Sequence, residues 1–413
     1  MKQTTVCRKV GLASTSFLWG LVLALLMAPA VQWAQALPLT LDQAFDVAAR
    51  HYPLLKRDQQ FIGQQNALLG SAAARPATSV FISGDEVDLE SVKGIHAIGF
   101  AQNFNWPGTK NRREEMLQQS ALLGSAQLEL TQLELKRQVA RAYFDVLYAR
   151  EQQELARQRV ELYTELVDLA QRRFELGETG KIPILSAQGK QKEAILRQQQ
   201  TNQDADIALT IFNNWMYSDS LYDVAERRLP VAAGYFTWFV NGGHPQLLYQ
   251  QQQVNLAEAQ IPVEQMQLLP QIRTGAQLQM VDSDSPFYGY ELGLNVPLGK
   301  KAIRSRIEGA RVEVEIRKTE METARQELEN ERQRLLVSLQ REQSTLDYIR
   351  QELLPLANEQ IDASRKAYSQ GAVEYQDYLR NLEQALANRT QYIEALRRYH
   401  LLKLELEFLS GRR

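Results

Sequence analysis

The sequence predicts a mainly α chain with a membrane β-barrel portion, built as a long-helix α-barrel plus four β-strands per chain and internally duplicated. Three observations predict it. From Thr109 to Leu176 there is no proline, and Gly124 is the only internal glycine before the end of the run. That is far longer than the usual globular helix. Short segments before and after it alternate apolar with small or polar residues over about 9–11 positions, the length of a tilted barrel strand. Finally, three sequence landmarks recur in the same order at an offset of about 190 residues, which marks a duplication.

The first 36 residues read as a signal peptide. Lys2, Arg8 and Lys9 form a positive start, "SFLWGLVLALLMAPA" is the apolar stretch, and Ala34, Gln35 and Ala36 make an A-x-A cleavage site. The competing reading is an uncleaved anchor. Cys7, the sole cysteine, precedes the apolar core, so it is no lipid-attachment residue, and cleavage removes it. No later stretch approaches the ~20 apolar residues of a spanning helix. A membrane role must then rest on strands.

Residues 37–230 and 231–413 are expected to be two repeats, each running helix, two strands, very long helix, tip, helix. "ARHYPLLKRDQQ" resembles "NGGHPQLLYQQQ" at Pro53 and Pro245, and "NFNWPGTKNRREE" resembles "GLNVPLGKKAIRSR" at Pro107 and Pro297. "RRFELGETGKIPIL" resembles "KAYSQGAVEYQDYL", pairing Phe174 with Tyr368, Gly177 with Gly371 and Leu185 with Leu379. The first long helix carries a heptad seam from Leu128 through Leu135, Val139, Val146, Ala156, Tyr163 and Ala170 to Phe174. At its rise per residue it should reach roughly 100 Å. The second, about Ala302 to Gln370, contains Pro355 and is expected to kink or split there. Glycine at a helix end supplies a left-handed cap, so Gly177 and Gly371 are expected to turn the chain back on itself.

The strands follow the other period. Ile98, Phe100, Phe104 and Trp106 alternate with small residues, as do Tyr288, Tyr290, Leu292 and Leu294. "QIRTGAQLQM" is similar, and the segment near Thr78 to Val87 is weaker. The expected lipid-facing residues are Phe100, Phe104, Leu292 and Leu294, with Asn103, Gln277 and Glu291 on the wet side. A half-buried soluble sheet would alternate in the same way. Two such hairpins in an exported chain favour the membrane. Four strands cannot close a barrel, for which about eight is the minimum. Lipid tolerates no open edge. The barrel must therefore be shared, and long helices around a wide passage favour three chains.

Composition excludes much else. The chain has 47 Lys+Arg against 49 Asp+Glu, with no basic stripe along it, which argues against nucleic acid as a partner. Its four histidines are scattered, and no Cys, His or Met cluster has metal-ligand spacing, so no metal site or cofactor is expected. No phosphate loop, nucleophile elbow or zinc motif is present, so no catalytic residue is assigned. The charged run "RQELENERQR" reads as solvated helix surface.

With these features in place, the chain resembles the TolC family of outer-membrane efflux proteins, from "LPLTLDQAFDVAARHYPLL" to "YHLLKLELEFLSG". The resemblance implies a homotrimer in the cell outer membrane, its lipid-embedded β-barrel continuous with a helical tube crossing the periplasm. It also implies a mixed equatorial region, for which residues near Asn202 to Val240 and the C-terminal end are candidates. The implied partners are a periplasmic adaptor (membrane fusion) protein and an inner-membrane RND-type pump. The implied function is a passive exit duct for small molecules or metal ions. The junction "QNFNWPGTKNRREE" looks closer to the heavy-metal efflux branch than to the drug branch. The alternatives are the outer pore of a type I protein-secretion system and, from another class, a secreted coiled-coil structural or adhesin protein.

The resemblance also marks gate positions. Gly177 and Gly371 fall at the periplasmic tips, and Tyr368 corresponds to a tip tyrosine whose acidic partner is replaced here by Pro183. Asp377 matches the first of two acidic positions that narrow the entrance, and Arg380 stands where the second acid can be. The family's closing lock is thus expected to be only partly present.

Overall fold

A computed structural model describes residues 36–86, 94–230, 243–281 and 286–409. The expected signal peptide, apart from its last residue Ala36, lies outside the described residues. Part of the equatorial candidate stretch, from 231 to 240, does too.

The chain opens with β1 (Leu37–Leu39) and α1 (Leu41–His51). A capping box starts α1: the Gln43 amide donates to Thr40 Oγ1 at 3.4 Å, and the Thr40 amide donates to Gln43 Oε1 at 3.0 Å. α2 (Pro53–Leu68) follows, then β2 (Ser79–Asp85) and β3 (Ile95–Phe104). α3 (Thr109–Glu175) is one unbroken helix of 67 residues, roughly 100 Å long. α4 (Lys181–Met216) returns along it and ends at β4 (Tyr222–Val224).

The second repeat gives α5 (Pro245–Met266), β5 (Gln271–Val281), β6 (Phe287–Asn295), α6 (Lys300–Tyr348), α7 (Leu354–Ser369) and α8 (Tyr375–Leu409). Both α2 and α5 begin on a proline, Pro53 and Pro245, where the missing N–H costs nothing. The second long helix splits as expected. Pro355 sits in the first turn of α7, and a π turn at Ile349–Leu353 absorbs the bond it cannot donate.

Two cores hold the helices together. In the first, Phe45, Val139, Tyr143, Leu147, Phe212 and Leu396 bring α1, α3, α4 and α8 into one cluster. β1 and β4 pair in parallel against it, Leu39 with Val224, and the Tyr143 hydroxyl donates to the Leu39 carbonyl at 3.1 Å. β4 and the C-terminal helix fall in the stretches expected to form a mixed equatorial region, whereas the partner strand β1 was not anticipated. This third layer explains why α3 buries Ala140, Tyr143, Phe144 and Leu147, which lie off its heptad seam. At the seam's far end Phe174 is exposed instead. Truncating the fully buried Phe212 to alanine should cost about 3–5 kcal/mol. The second core, nearer the reversals, gathers Leu166, Ala187, Ile361, Tyr368, Tyr378 and Leu382.

The four remaining strands form one antiparallel sheet in the order β2-β3-β5-β6, so the β3–β5 pairing joins the two repeats. β2 and β6 are its unpaired edges among the described residues. No described helix is long and apolar enough to cross a membrane.

Candidate functional sites at the helix tips and on the sheet

The two reversals have the same backbone. Gly177 has φ +74° and Gly371 φ +73°, the left-handed region that glycine enters without strain. In the first, the Gly177 amide donates to the Phe174 carbonyl at 3.0 Å and the Glu178 amide to that of Arg173 at 2.9 Å. In the second, Gly371 donates to Tyr368 at 3.1 Å and Ala372 to Ala367 at 2.8 Å. An added Cβ at Gly177 would meet nothing, so the need there is for conformation and not for space.

Tyr368 does not reach outward from the tip. It is fully buried, stacked on Tyr378 at 5.2 Å between ring centres and edge-on to Tyr375 at 6.3 Å. The Arg173 guanidinium lies 4.8 Å from the centre of its ring. Burial pushes the Tyr368 hydroxyl above its usual value, and the Arg173 charge opposes the shift. Arg173 also donates from Nη1 to the Val373 carbonyl at 3.3 Å and pairs through Nε with Glu178 at 3.1 Å. One side chain from the first reversal therefore grips the second. Sequence reasoning missed Arg173. Its only visible signal is its position beside Phe174 in the last turn of a long helix.

Asp377 lies in the first turn of α8, where the helix dipole favours a carboxylate. It is 53% exposed and pairs with Arg380 at 3.3 Å. Within one chain it is a surface carboxylate with a local cation beside it.

On the sheet, the register sorts side chains into rows. Val80, Phe100, Ala276 and Tyr290 lie side by side across all four strands, and Ile82, Ile98, Leu278 and Tyr288 form the neighbouring row. Phe104, Ile272 and Leu294 make a third row, and Leu292 shares their face beside Thr274. This face is bare: Val80 is 75% exposed, Tyr290 91% and Leu292 75%. The opposite face carries Asn103, Gln277 and Glu291, with Arg273 paired to Glu291 at 2.9 Å and Asn295 donating to Asn103 at 3.0 Å. Gly99 and Gly289 lie against Gln277 there, where an added Cβ would come within 2.8 and 2.9 Å of its side chain.

A chain with a bare apolar sheet face and helices of this length can be compared with known proteins. The profile of the family described as outer membrane efflux protein matches residues 102–211 and 241–412, well over half of the chain. The chain belongs to the outer membrane efflux protein family. Among solved structures it is similar to the outer-membrane channel OprN, with TM-score 0.77 and 13% identity over 90% of both chains. It is also similar to CusC, with TM-score 0.76 and 14% identity over 92% of this chain and 94% of that one. The outer membrane protein VceC of Vibrio cholerae gives TM-score 0.74 and 15% identity over 90% and 96%. No curated protein sequence matches. At such identities the structural likenesses speak for the fold, and the profile speaks for the family.

As a member of the outer membrane efflux protein family, the chain is an outer-membrane channel that extends into the periplasm, an exit duct of tripartite efflux. The family is a transport class and not an enzyme class. This favours the duct over the secreted coiled-coil alternative. The near-equal identities favour no branch, so the resemblance to heavy-metal exporters gains nothing from them.

Proposed function

We propose that three copies of the chain close a twelve-stranded barrel in the outer membrane, and that their long helices form one tube across the periplasm. The open four-stranded sheet carries this reading. Among the described residues its edges β2 and β6 lack partners, and its apolar face has no cover. Edge strands in lipid need partners, and neighbouring copies supply them. Phe100, Phe104, Leu292 and Leu294 then meet lipid, while Asn103, Gln277 and Glu291 line the aqueous side. The mature chain starts at Leu37 after removal of residues 1–36, with repeats at 37–230 and 231–413. The profile match supports that division with one segment in each repeat.

In this arrangement the reversals at Gly177 and Gly371 end at the periplasmic entrance, where an adaptor protein docks and an inner-membrane pump delivers cargo. The pump selects the cargo, small molecules or metal ions. Three Asp377 carboxylates around the entrance give it a preference for cations, tempered by the Arg380 bound to each. Native mass spectrometry in detergent and planar-bilayer conductance test the assembly together. A three-chain species that conducts supports the reading. A single-chain species that stays in water without detergent refutes it.

A further inference from the structure

Below the strands, the first turns of α3 and α6 carry an excess of positive charge. Seven bases fall between Pro107 and Arg113 and between Pro297 and Ile307, and neither stretch contains an acid. These are helix N-termini, where the dipole favours acids and disfavours bases. Helix stability therefore argues against this placement, yet both repeats have it. Arg112 is paired with Glu115 at 3.0 Å, and Arg306 with Glu264 at 3.4 Å. Lys110, Arg113, Lys300, Lys301 and Arg304 make no ion pair among the described residues, and all but Arg113 are exposed.

Two further observations indicate what the charge faces. The bare sheet face continues directly into this zone: Val296 and Leu298 extend the Leu292–Leu294 row, with Leu298 90% exposed, and Trp106 extends that of Phe104. Aromatic side chains at such a boundary mark the membrane–water interface. A cavity of about 690 Å³ also opens between α3, α5 and α6. Arg112, Arg304 and Arg311 line it together with Leu268, Leu269 and Ile307. Glu308, also in the lining, pairs with Arg311 at 3.5 Å, which leaves Arg304 as its unpaired guanidinium among the described residues. A guanidinium beside apolar side chains fits a phosphate headgroup with its glycerol and upper acyl chain.

We propose that this belt binds anionic phospholipid headgroups of the periplasmic leaflet and so fixes the depth of the channel in the membrane. The inference rests on the sheet face lying in lipid, as proposed above. It assigns to the two basic turns a task that neither the duct nor its gate requires.

The test uses the whole assembled channel in vesicles of phosphatidylethanolamine with and without phosphatidylglycerol. After extraction, native mass spectrometry counts the lipids retained. The variant combines Lys110→Gln, Lys300→Gln and Lys301→Gln, all exposed positions. Phosphatidylglycerol retention should fall on the order of fivefold for each base removed, with phosphatidylethanolamine retention unchanged. The matching Lys→Arg variant should retain phosphatidylglycerol normally, and so should Arg332→Gln, whose base is paired with Glu329 in mid-helix. Equal retention in the Gln variant and the parent overturns the proposal while leaving the duct intact. A shift in ion selectivity with unaltered lipid retention assigns the bases to the lumen and overturns it too. A chain that never enters vesicles overturns this proposal and the membrane reading together.

Discussion

Replacing Arg173 with alanine should loosen the two reversals from each other without unfolding the chain. The side chain does three things at once: it covers the Tyr368 ring at 4.8 Å, donates to the Val373 carbonyl at 3.3 Å and pairs with Glu178 at 3.1 Å. A cation over a desolvated ring contributes about 1–2 kcal/mol. A charge-assisted bond to a carbonyl contributes about 1.5 kcal/mol at this length, the low end of its range. The Glu178 pair is half in water and adds about 0.5 kcal/mol or less. One head group makes all three contacts, so the contributions do not simply add. A total of about 2–3 kcal/mol corresponds to a local opening constant roughly 30- to 150-fold larger. Amide hydrogen exchange reads this directly. Peptides covering residues 366–374 should lose protection by that factor, while those covering Phe212 keep theirs. Arg173→Lys retains the charge but not the planar fork, and should lose less. Unchanged protection at 366–374, or equal loss at both regions, refutes the reasoning.

Gly177→Ala and Gly371→Ala should each cost about 1–2 kcal/mol locally, since both demand positive φ, and asparagine should cost less; exchange at each reversal measures it. Leu292→Arg should destabilise the membrane-inserted channel by about 2–4 kcal/mol, and Asn295→Arg far less, read as denaturant midpoints in lipid. Asp377→Asn should weaken cation preference or divalent block from the periplasmic side in single-channel recordings, and unchanged current, selectivity and block would remove it from the gate. Burial lowers His400 from an ordinary 6.5 to about 4, aided by Lys403 and opposed by the Pro230 carbonyl. The fold keeps this ring neutral while the unfolded chain protonates it. Stability should therefore drop by up to about 3 kcal/mol as pH falls from 6.5 towards 4, then level off. Thermal melts across that window check the slope, which His400→Gln should flatten.

How much was legible in the sequence follows from the range of each signal. The 67-residue helix, the split at Pro355 and the glycine reversals are local, and each appears where residue type dictates. The β1–β4 pair was not legible, because strands of three residues are too short to show a period. The wide burial of α3 was missed for a related reason. Tyr143 and Leu147 are buried by layers brought from distant parts of the chain, and a heptad count sees only one seam. Arg173 is the clearest case. Its partner Val373 lies 200 residues away, and nothing near Arg173 in sequence indicates it. Asp377 shows the opposite case: Arg380 stands at the family's second-acid position, and its three-residue spacing on the helix already marks it as a partner to the first.

The alternation in the strands encodes more than which side faces lipid. No described element covers the sheet, yet Ala97 and Ala101 are almost fully buried while Phe100 between them and Val80 beside it are bare. Burial without a covering layer means that the face curls around its own side chains. The glycines on that face permit the curl: a Cβ at Gly99 would approach the Phe81 ring to 2.7 Å, and one at Gly275 the Phe100 carbonyl to 2.9 Å. Large residues sit where the surface opens outward and small ones where it closes inward. A flat half-buried sheet would need the first pattern but not the second. A hairpin alone is marginal in water, and joining two through the β3–β5 register from Ile95–Val281 to Phe104–Ile272 leaves β2 and β6 as the unpaired edges among the described residues. Duplication thus supplied two hairpins that need each other, and the curvature written into their glycines turns their remaining edges toward another copy.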